Sequence, residues 1–146
     1  MSAGQNSTCA RKRNNTLYCW GSLDSGVLAM GDLMPRTTPS RVPSFEDWLQ
    51  VSTETFHTCG LRQNGEIWCA GRNTEGQLTG SNLQDAVPSM QRMGSDSDWV
   101  EVRAGRFFTC ARKRNDSIWC TGDNDDGEIS SDSSVDRSNV LLELTL

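Results

Sequence analysis

Histidine and long apolar runs are the scarcest features of this sequence, and each scarcity excludes a class of protein. The 146 residues contain a single histidine, His57, which argues against zinc sites and catalytic centres built from several imidazoles. No apolar run approaches the roughly 20 residues that span a membrane. The opening residues, MSAGQNSTCARKRN, have no apolar stretch of the kind found in signal peptides. We therefore expect no membrane insertion and no signal peptide within these residues.

Basic charge is also in short supply. The chain carries 14 Lys plus Arg against 19 Asp plus Glu, which gives a net charge of −5 and an isoelectric point near 4.8. A general nucleic-acid-binding protein needs a net basic surface, so we expect no nucleic-acid partner. Only 35% of the residues are hydrophobic, and the length favours a single domain.

Cysteine, in contrast, is present in a regular pattern. The six cysteines form three pairs with the same separation of ten residues: Cys9 and Cys19, Cys59 and Cys69, Cys110 and Cys120. Six cysteines allow fifteen connectivities, but equal spacing repeated three times favours pairing within each pair. Neither the spacing of a zinc site nor that of a redox CxxC motif occurs.

The cysteine pairs lie within an internal repeat. The segments STCARKRNNTLYCWG, HTCGLRQNGEIWCAG and FTCARKRNDSIWCTG align, and WLQVSTE matches WVEVRAG upstream of the second and third. Self-similarity at a period near 50 residues indicates a repeat architecture. The repeats cover about residues 1–47, 48–98 and 99–146.

Each repeat predicts four short strands, with the two cysteines on the middle hairpin. The turns of these hairpins contain Asn14-Asn15, Asn64-Gly65 and Asn115-Asp116, residue types that tolerate positive φ. A three-residue loop with Asn15, Gly65 or Asp116 in the left-handed conformation places the paired cysteines directly opposite each other. That register brings their Cα atoms within the range that a disulfide requires.

Four antiparallel strands that recur at this period are typical of a β-propeller blade. The residues HTCGLRQNGEIWCAGRNTEGQL, the pattern W-x-x-V-x-A-G and the motif CWG resemble the regulator of chromosome condensation repeat, which is also similar to the repeat of propeller-shaped β-lactamase inhibitory proteins. The resemblance covers nearly the whole chain. It departs from the family pattern in the first loop, at Gly26-Val27-Leu28, and in the third, at Gly127-Glu128-Ile129.

The resemblance implies an all-β fold, a sector of three four-stranded antiparallel propeller blades with one disulfide in each. Family propellers usually have seven blades, and three blades do not close a stable ring. We therefore expect this sector to be part of a larger propeller or to be completed by self-association, because its end sheets are otherwise uncovered.

The hairpin turns are the candidate partner-binding surface. They hold seven of the fourteen basic residues, and the repeat places all three turns at the same end of the blades: Arg11, Lys12, Arg13, Arg62, Arg112, Lys113 and Arg114. Such a concentration of charge steers acidic partners. The alternative is that these side chains only keep the turns soluble, and Glu46-Asp47 and Asp96–Asp98 at the same end are expected to neutralise part of the charge.

Two further kinds of site are candidates. The loop after the third cysteine hairpin holds Asp123, Asp125, Asp126 and Glu128, a minor candidate for a weak calcium site beside the alternative of a solvated acidic loop. Its spacing does not fit an EF-hand, so no metal or other cofactor is expected. Asn6, Asn14 and Asn115 begin N-glycosylation triplets, which suits a secreted protein.

No arrangement of residues predicts catalysis. His57 has no recurring Ser or Asp partner, and no phosphate-binding GxxxxGK[ST] motif occurs. The leading hypothesis is a non-catalytic protein-interaction module of a secreted, periplasmic or cell-surface protein, since three local disulfides do not suit a reducing cytosol. The alternatives are a lectin that holds glycan between blades, with tryptophans that stack on sugars, and a guanine-nucleotide exchange factor.

Overall fold

The computed structural model describes residues 1–21 and 24–144, which form three antiparallel sheets of four strands each. Blade 1 contains β1 (Ser2–Ala3), β2 (Ser7–Arg11), β3 (Leu17–Gly21) and β4 (Arg36–Arg41). Blade 2 contains β5 (Trp48–Thr53), β6 (His57–Arg62), β7 (Ile67–Gly71) and β8 (Val87–Arg92). Blade 3 contains β9 (Trp99–Ala104), β10 (Phe108–Lys113), β11 (Ile118–Asp123) and β12 (Arg137–Leu144).

The strands follow chain order within each sheet, so each predicted repeat forms one blade. A short 3-10 turn at Asp24–Gly26 lies between β3 and β4. Ser22 and Leu23 of the first repeat, and residues 145 and 146 of the third, lie outside the described residues. The described part of the chain contains no helix of the length and apolar character that crossing a bilayer requires.

The predicted cysteine hairpins are confirmed. Cys9 pairs with Cys19 in the strand register, and the other two pairs behave in the same way. All three pairs form disulfides, with Cα atoms 4.1 to 4.2 Å apart. The left-handed residues are those expected from the sequence, with φ of 65° at Asn15, 80° at Gly65 and 68° at Asp116. The spacing of ten residues therefore determines a three-residue loop and a disulfide across the strands.

The apolar core lies between the blades rather than inside any one of them. Between blades 1 and 2, Leu17 and Val42 pack with Trp48, whose side chain is fully buried. Between blades 2 and 3, Ile67 and Met93 pack in the same manner with Trp99. The first strand of each following blade thus covers the sheet of the blade before it.

Hydrogen bonds reinforce both interfaces between blades. The Thr53 amide donates to Ser2 Oγ (3.0 Å), and the Ala104 amide donates to Ser52 Oγ at the next interface (2.9 Å). The Gln50 side chain donates to the Val102 carbonyl (2.9 Å) and accepts from its amide (3.2 Å). Because buried polar groups are costly when unpaired, these contacts favour one orientation of adjacent sheets.

The outward sheet face of blade 3 has no further sheet against it among the described residues. Ile118 and Leu144, which occupy the positions of Ile67 and Met93 in blade 2, are partly exposed. An open cavity of about 210 Å³ lies beside Ile118 and is also lined by Glu101, Arg103 and Arg112. This face is therefore a mixture of apolar and charged side chains.

Candidate functional site

The three cysteine-hairpin turns, which we call tips 1, 2 and 3, lie at the same end of the sector. The carbonyl of Asn15 in tip 1 accepts a hydrogen bond from the amide of Trp48 (3.2 Å), and Gly65 in tip 2 makes the same contact with Trp99 (3.3 Å). Gly65 is required there, since a Cβ atom would lie 2.1 Å from the Ser97 carbonyl oxygen. Tips 1 and 2 thus each touch the start of the next blade.

In tip 2 the basic residue is already paired. Arg62 donates to both carboxylate oxygens of Asp47 (2.9 and 3.0 Å) and to Glu66 (2.8 Å). Its guanidinium lies 3.7 Å from the centre of the Phe45 ring. The hydrogen bonds that Arg62 donates to Asp47 are the main reason that the pKa of Arg62 is raised. Arg62 therefore pairs with Asp47 of the linker that leads into its own blade.

In tip 3 the lysine lies in an aromatic and acidic enclosure. Lys113 Nζ is 2.6 Å from Asp96 and 3.8 Å from Asp98, and it lies 4.9 and 4.8 Å from the ring centres of Trp99 and Trp119. Only 14% of its side chain is exposed. The hydrogen bond that Lys113 donates to Asp96 is the main cause of the raised pKa of Lys113.

The other cations of tip 3 are closer to solvent. Arg112 contacts Asp116 at 2.6 Å and Glu101 at 3.4 Å. Arg114 is exposed, and its backbone amide donates to the Asp98 carbonyl (3.0 Å). Tip 3 therefore has a carboxylate near two of its three cations.

Tip 1 differs from the other two. Arg11, Lys12 and Arg13 are all exposed, and within the described ranges none of them lies within ion-pair distance of a carboxylate. Arg11 donates to Asn15 Oδ1 (2.5 Å), and Lys12 Nζ lies 4.4 Å from the centre of the Tyr18 ring. Tip 1 is therefore the tip in which, among the described residues, none of the cations has a carboxylate partner.

The acidic linkers, Glu46-Asp47 before blade 2 and Asp96–Asp98 before blade 3, therefore neutralise the charge of the three tips unevenly. The sequence predicts some neutralisation but not which tip keeps its charge. Asp47 and Asp98 both stand directly before the tryptophan that opens the next blade, Trp48 or Trp99. That shared position is a signal in the sequence for contacts between linkers and tips. Glu46 instead pairs with Arg41, outside the tips.

The acidic loop at the opposite end is organised by an asparagine. Asn124 Oδ1 accepts from the amides of Ile129 (2.8 Å) and Ser130 (2.9 Å), and its Nδ2 donates to the Val135 carbonyl (2.6 Å). Burial, followed by the charges of Asp125 and Glu128, raises the pKa of Asp123. Across residues 1–21 and 24–144 no three His, Cys, Asp or Glu side chains form a group suited to a metal, and this includes Asp126.

His57 lies buried between blades 2 and 3. Its ring is fully buried, with Nε2 2.7 Å from Thr109 Oγ1 of the neighbouring blade. Burial lowers the pKa of His57 to about 4, so the ring is neutral at physiological pH. Thr109 Oγ1 also donates to the Gln77 carbonyl (2.8 Å), which ties the histidine into a polar contact between blades 2 and 3.

The glycosylation candidates are exposed. Asn6, Asn14 and Asn115 all lie on the surface. Asn14 Oδ1 accepts from the Thr16 hydroxyl (2.7 Å), and Asn115 Oδ1 accepts from the Ser117 hydroxyl (2.8 Å). Their modification stays a prediction.

Four of the tryptophans serve the packing of the blades. Trp48 and Trp99 are buried between sheets, and Trp68 packs against Phe45 with ring centres 4.7 Å apart. Trp119 packs against the core between blades 2 and 3. A separate cleft of about 540 Å³ opens between these two blades, with the side chains of Asn82, Gln91 and Asn139 among those that line it.

Comparison with known protein families identifies the repeat. The family model described as "Regulator of chromosome condensation (RCC1) repeat" matches residues 1–26, 51–77 and 99–128, one match in each blade. The ultraviolet-B receptor UVR8 of Arabidopsis thaliana is 27% identical over 141 residues, which are 94% of this chain and 32% of the receptor.

Solved structures give the same fold. Human WBSCR16 superposes with a TM-score of 0.87 at 13% identity over 98% of this chain and 36% of its own. Prp20p of Saccharomyces cerevisiae, whose structure was described with its binding to Gsp1p and histones, superposes with a TM-score of 0.85 at 18% identity over 99% of this chain and 37% of its own. The chain thus spans about a third of the length of these relatives.

Proposed function

Because this chain belongs to the family of regulator of chromosome condensation (RCC1) repeats, we propose that it is a non-catalytic protein-interaction module whose tips contact an acidic protein partner. The family assignment supports a protein-interaction scaffold. Propellers host many unrelated functions, so the proposal depends on the surface of this chain rather than on its fold.

The observation that carries the proposal is the exposed charge of tip 1. Arg11, Lys12 and Arg13 lie side by side on a protein of net charge −5, at the end where tips 2 and 3 already bind aspartates of their linkers. A local positive field of this kind raises encounter rates with acidic surfaces. Tips 2 and 3, whose cations pair with linker aspartates, show how acidic residues contact these hairpin turns.

The experiment compares two variants of equal charge. One replaces Arg11, Lys12 and Arg13 by Gln, and the control replaces Arg103, Arg106 and Arg137, which are exposed but lie outside the tips. Association with an oligoglutamate peptide is measured at low and high salt. We expect the tip 1 variant to associate more slowly than the parent, at a rate that no longer depends on salt. The control variant should keep both the association rate and the salt dependence of the parent. Equal kinetics in the two variants would show that tip 1 only aids solubility.

We also propose that the chain works in an oxidising compartment, at a cell surface, in a periplasm or after secretion. Three disulfides within 146 residues support this placement. Non-reducing peptide mapping of the protein from its native source tests it. Cysteines recovered there as free thiols would contradict it.

The uncovered face of blade 3 supports a further proposal, that additional blades or a second copy complete the sector. Ile118 and Leu144 are partly exposed where the matching residues of blade 2 are buried. Light scattering across a range of concentrations tests the isolated chain. Self-association or aggregation is expected, and a cooperative monomer at every concentration would contradict the proposal.

The cleft between blades 2 and 3 favours the glycan alternative as a second candidate. Its amide side chains, Asn82, Gln91 and Asn139, are groups that hydrogen-bond to sugar hydroxyls. A glycan array distinguishes the two functions. Binding that depends on a saccharide and is lost on Gln91→Ala would favour the lectin, whereas a protein-interaction module gives no such signal.

A further inference from the structure

We propose that the cleft between blades 2 and 3 binds a neutral saccharide chain, which its side-chain amides and its apolar side chains contact together. The cleft is formed by residues within the segments 78–82, 91–96 and 139–141. Its volume of about 540 Å³ lies within the roughly 300–1,000 Å³ that is typical of small-molecule sites. The inference rests on the glycan alternative of the proposed function and specifies its ligand. It does not involve tip 1, so the two surfaces can be tested separately.

A difference between two loops helps to keep this cleft open. The backbone amides of Gly31 and Gly80 each donate to a carbonyl in the last strand of the next blade, at 2.8 and 2.9 Å, so these glycines correspond. Ala29 and Thr79, which both have a left-handed backbone, also correspond. Blade 1 has one more residue between these points, Met30, whose side chain packs against the core between blades 1 and 2. In blade 2, Thr79 is followed directly by Gly80.

The linker to the next blade differs in the same direction. Phe45 stands three residues before Trp48, and its ring packs against Trp68 with ring centres 4.7 Å apart. The residue three positions before Trp99 is Asp96, which lines the cleft. Glycine and polar residues thus border the space between blades 2 and 3, where the preceding interface has methionine and phenylalanine. The cleft therefore follows from the sequence of blades 2 and 3 and not from the fold that the three blades share.

The amide side chains of the cleft are available to a ligand. Asn82, Gln91 and Asn139 line it, and within residues 1–21 and 24–144 their side-chain amides hydrogen-bond to no other group. The amide of Asn73, in contrast, is used by the protein itself, because its Nδ2 donates to the carbonyls of Thr79 (3.2 Å) and Asn82 (2.8 Å). Asparagine and glutamine side chains offer both donors and an acceptor, which matches the hydroxyl groups of a sugar.

Apolar side chains share the cleft with these amides. Leu78 and Leu141 line it, and so does Val140, which is 57% exposed. A pyranose ring has a face of C–H groups and a rim of hydroxyls, so it covers apolar side chains while its hydroxyls bind amides. No aromatic residue of the described chain lines the cleft, so the contact with the sugar ring is aliphatic and does not use the tryptophans.

The charges in the cleft favour a neutral sugar over an acidic one. Arg92 lies 3.3 Å from Glu66 and donates to the Ser95 carbonyl (2.8 Å). Asp96 accepts a hydrogen bond from Lys113 (2.6 Å). Both charged side chains of the cleft thus have partners within the protein, and a sialic or uronic acid would gain no unpaired cation there. The net charge of −5 also opposes the approach of an acidic sugar.

The test titrates the intact, isotope-labelled protein with three neutral hexasaccharides, cellohexaose, maltohexaose and mannohexaose, and with hexagalacturonate as an acidic counterpart of the same length. Heteronuclear NMR spectra follow the side-chain amide signals of Asn82, Gln91 and Asn139. We expect at least one neutral hexasaccharide to shift these signals and to bind more tightly than hexagalacturonate. Failure of all three neutral sugars to bind, or tighter binding of hexagalacturonate, would overturn the proposal.

Variants of the protein show whether the cleft is the binding site. Gln91→Ala and Asn139→Ala each remove an amide that the protein does not use, and each should weaken saccharide binding by about three- to tenfold, the effect of losing a hydrogen bond. Gln84→Ala is the matched control, because Gln84 is exposed in the same loop as Asn82 but does not line the cleft. Unchanged affinity in both cleft variants, or an equal loss in the control, would contradict the assignment.

The outcomes separate this inference from the proposed functions. A saccharide that binds without shifting the cleft amides overturns the inference and leaves the glycan alternative in place. Absence of binding by every saccharide overturns both, and it leaves the contact of tip 1 with oligoglutamate unaffected. Gln91→Ala should associate with oligoglutamate at the rate of the parent. A slower rate would mean that the cleft binds acidic chains, which also overturns the inference.

Discussion

Blades 2 and 3 have the same hairpin, the same disulfide and the same tryptophan strand, yet they differ in what covers them. In blade 2, Ile67 and Met93 are fully buried because β9 packs on that sheet. In blade 3, the corresponding Ile118 and Leu144 are partly exposed. The repeat therefore determines the hairpin, and the neighbouring blade determines its burial.

The same faces also differ in charge. Leu61 of blade 2 is buried in the core between blades, and the corresponding residue of blade 3 is Arg112. Gln50 and Ser52 bind the backbone of β9, and the residues at their positions in blade 3 are Glu101 and Arg103, which form an ion pair (2.8 Å). Whatever covers blade 3 must therefore accept charged groups that blade 2 does not present.

The largest expected difference between the blades follows from truncation of a matched pair. Ile67→Ala removes a fully buried side chain and should lower the free energy of unfolding by about 2–5 kcal/mol. Ile118→Ala removes a partly exposed side chain and should cost less than about 1 kcal/mol. Urea unfolding measures both. Equal losses would mean that the face of blade 3 is covered in solution.

Acid should destabilise the chain through His57 of blade 2. Its pKa is about 4 when folded and 6.5 when exposed, so the unfolded state binds the extra proton between these values. The stability from the neutral ring is complete above pH 6.5 and is lost as the pH falls to about 4, a change on the order of 3 kcal/mol.

The control for this pH dependence is His57→Phe, which introduces the residue found at the same position in blade 3, Phe108. Urea midpoints of both proteins are compared across that pH range. The variant should lose less stability on acidification than the parent. Parallel curves would show that carboxylates, not His57, govern the acid response.

The disulfides should differ in access to reductant. Cys59 and Cys69 of blade 2 are fully buried, whereas Cys110 of blade 3 is partly exposed and lines the open cavity. Limited reduction followed by alkylation and mass spectrometry should therefore label Cys110 and Cys120 first. Loss of the blade 2 disulfide by replacement of both cysteines with Ser should cost about 2–4 kcal/mol. First labelling of Cys59 would contradict the difference in burial.

The smallest expected effect separates tips 1 and 3. Lys113→Gln removes a lysine held by two tryptophans and two aspartates and should cost about 1 kcal/mol, less at high salt. Lys12→Gln, at the matching exposed position, should change stability by no more than about 0.5 kcal/mol. Thermal unfolding of both variants measures the difference. A comparable loss for Lys12→Gln would mean that tip 1 is also enclosed.

The hairpins were predictable because their determinants are local. The spacing of the cysteines and the residue types at Asn15, Gly65 and Asp116 are sufficient to define the loop and the register. The charge balance of the tips was only partly predictable. The sequence indicates that the acidic linkers and the tips share one end of the blades. Which carboxylate pairs with Arg62 depends on side-chain conformations, and the structure shows that it is Asp47.

Contacts between blades were the least predictable part. The bond from the Gln50 amide group to Val102 joins residues 52 positions apart, and its geometry depends on the angle between two sheets. The same holds for the contact between His57 and Thr109, which also joins two blades. The spacing of residues along the chain carries no information about the angle between two sheets.

Strand pairing that stays within one blade also has a consequence for how the disulfides form. Each cysteine pair is ten residues apart and meets as soon as its own hairpin closes. Loops of about ten residues close in roughly 10–100 ns, far faster than thiol oxidation, which takes seconds or longer. A cysteine therefore meets its native partner many times before it is oxidised, while partners in other blades are separated from it by a further repeat of chain. Oxidative folding should consequently proceed blade by blade, each hairpin being closed covalently without waiting for its neighbour.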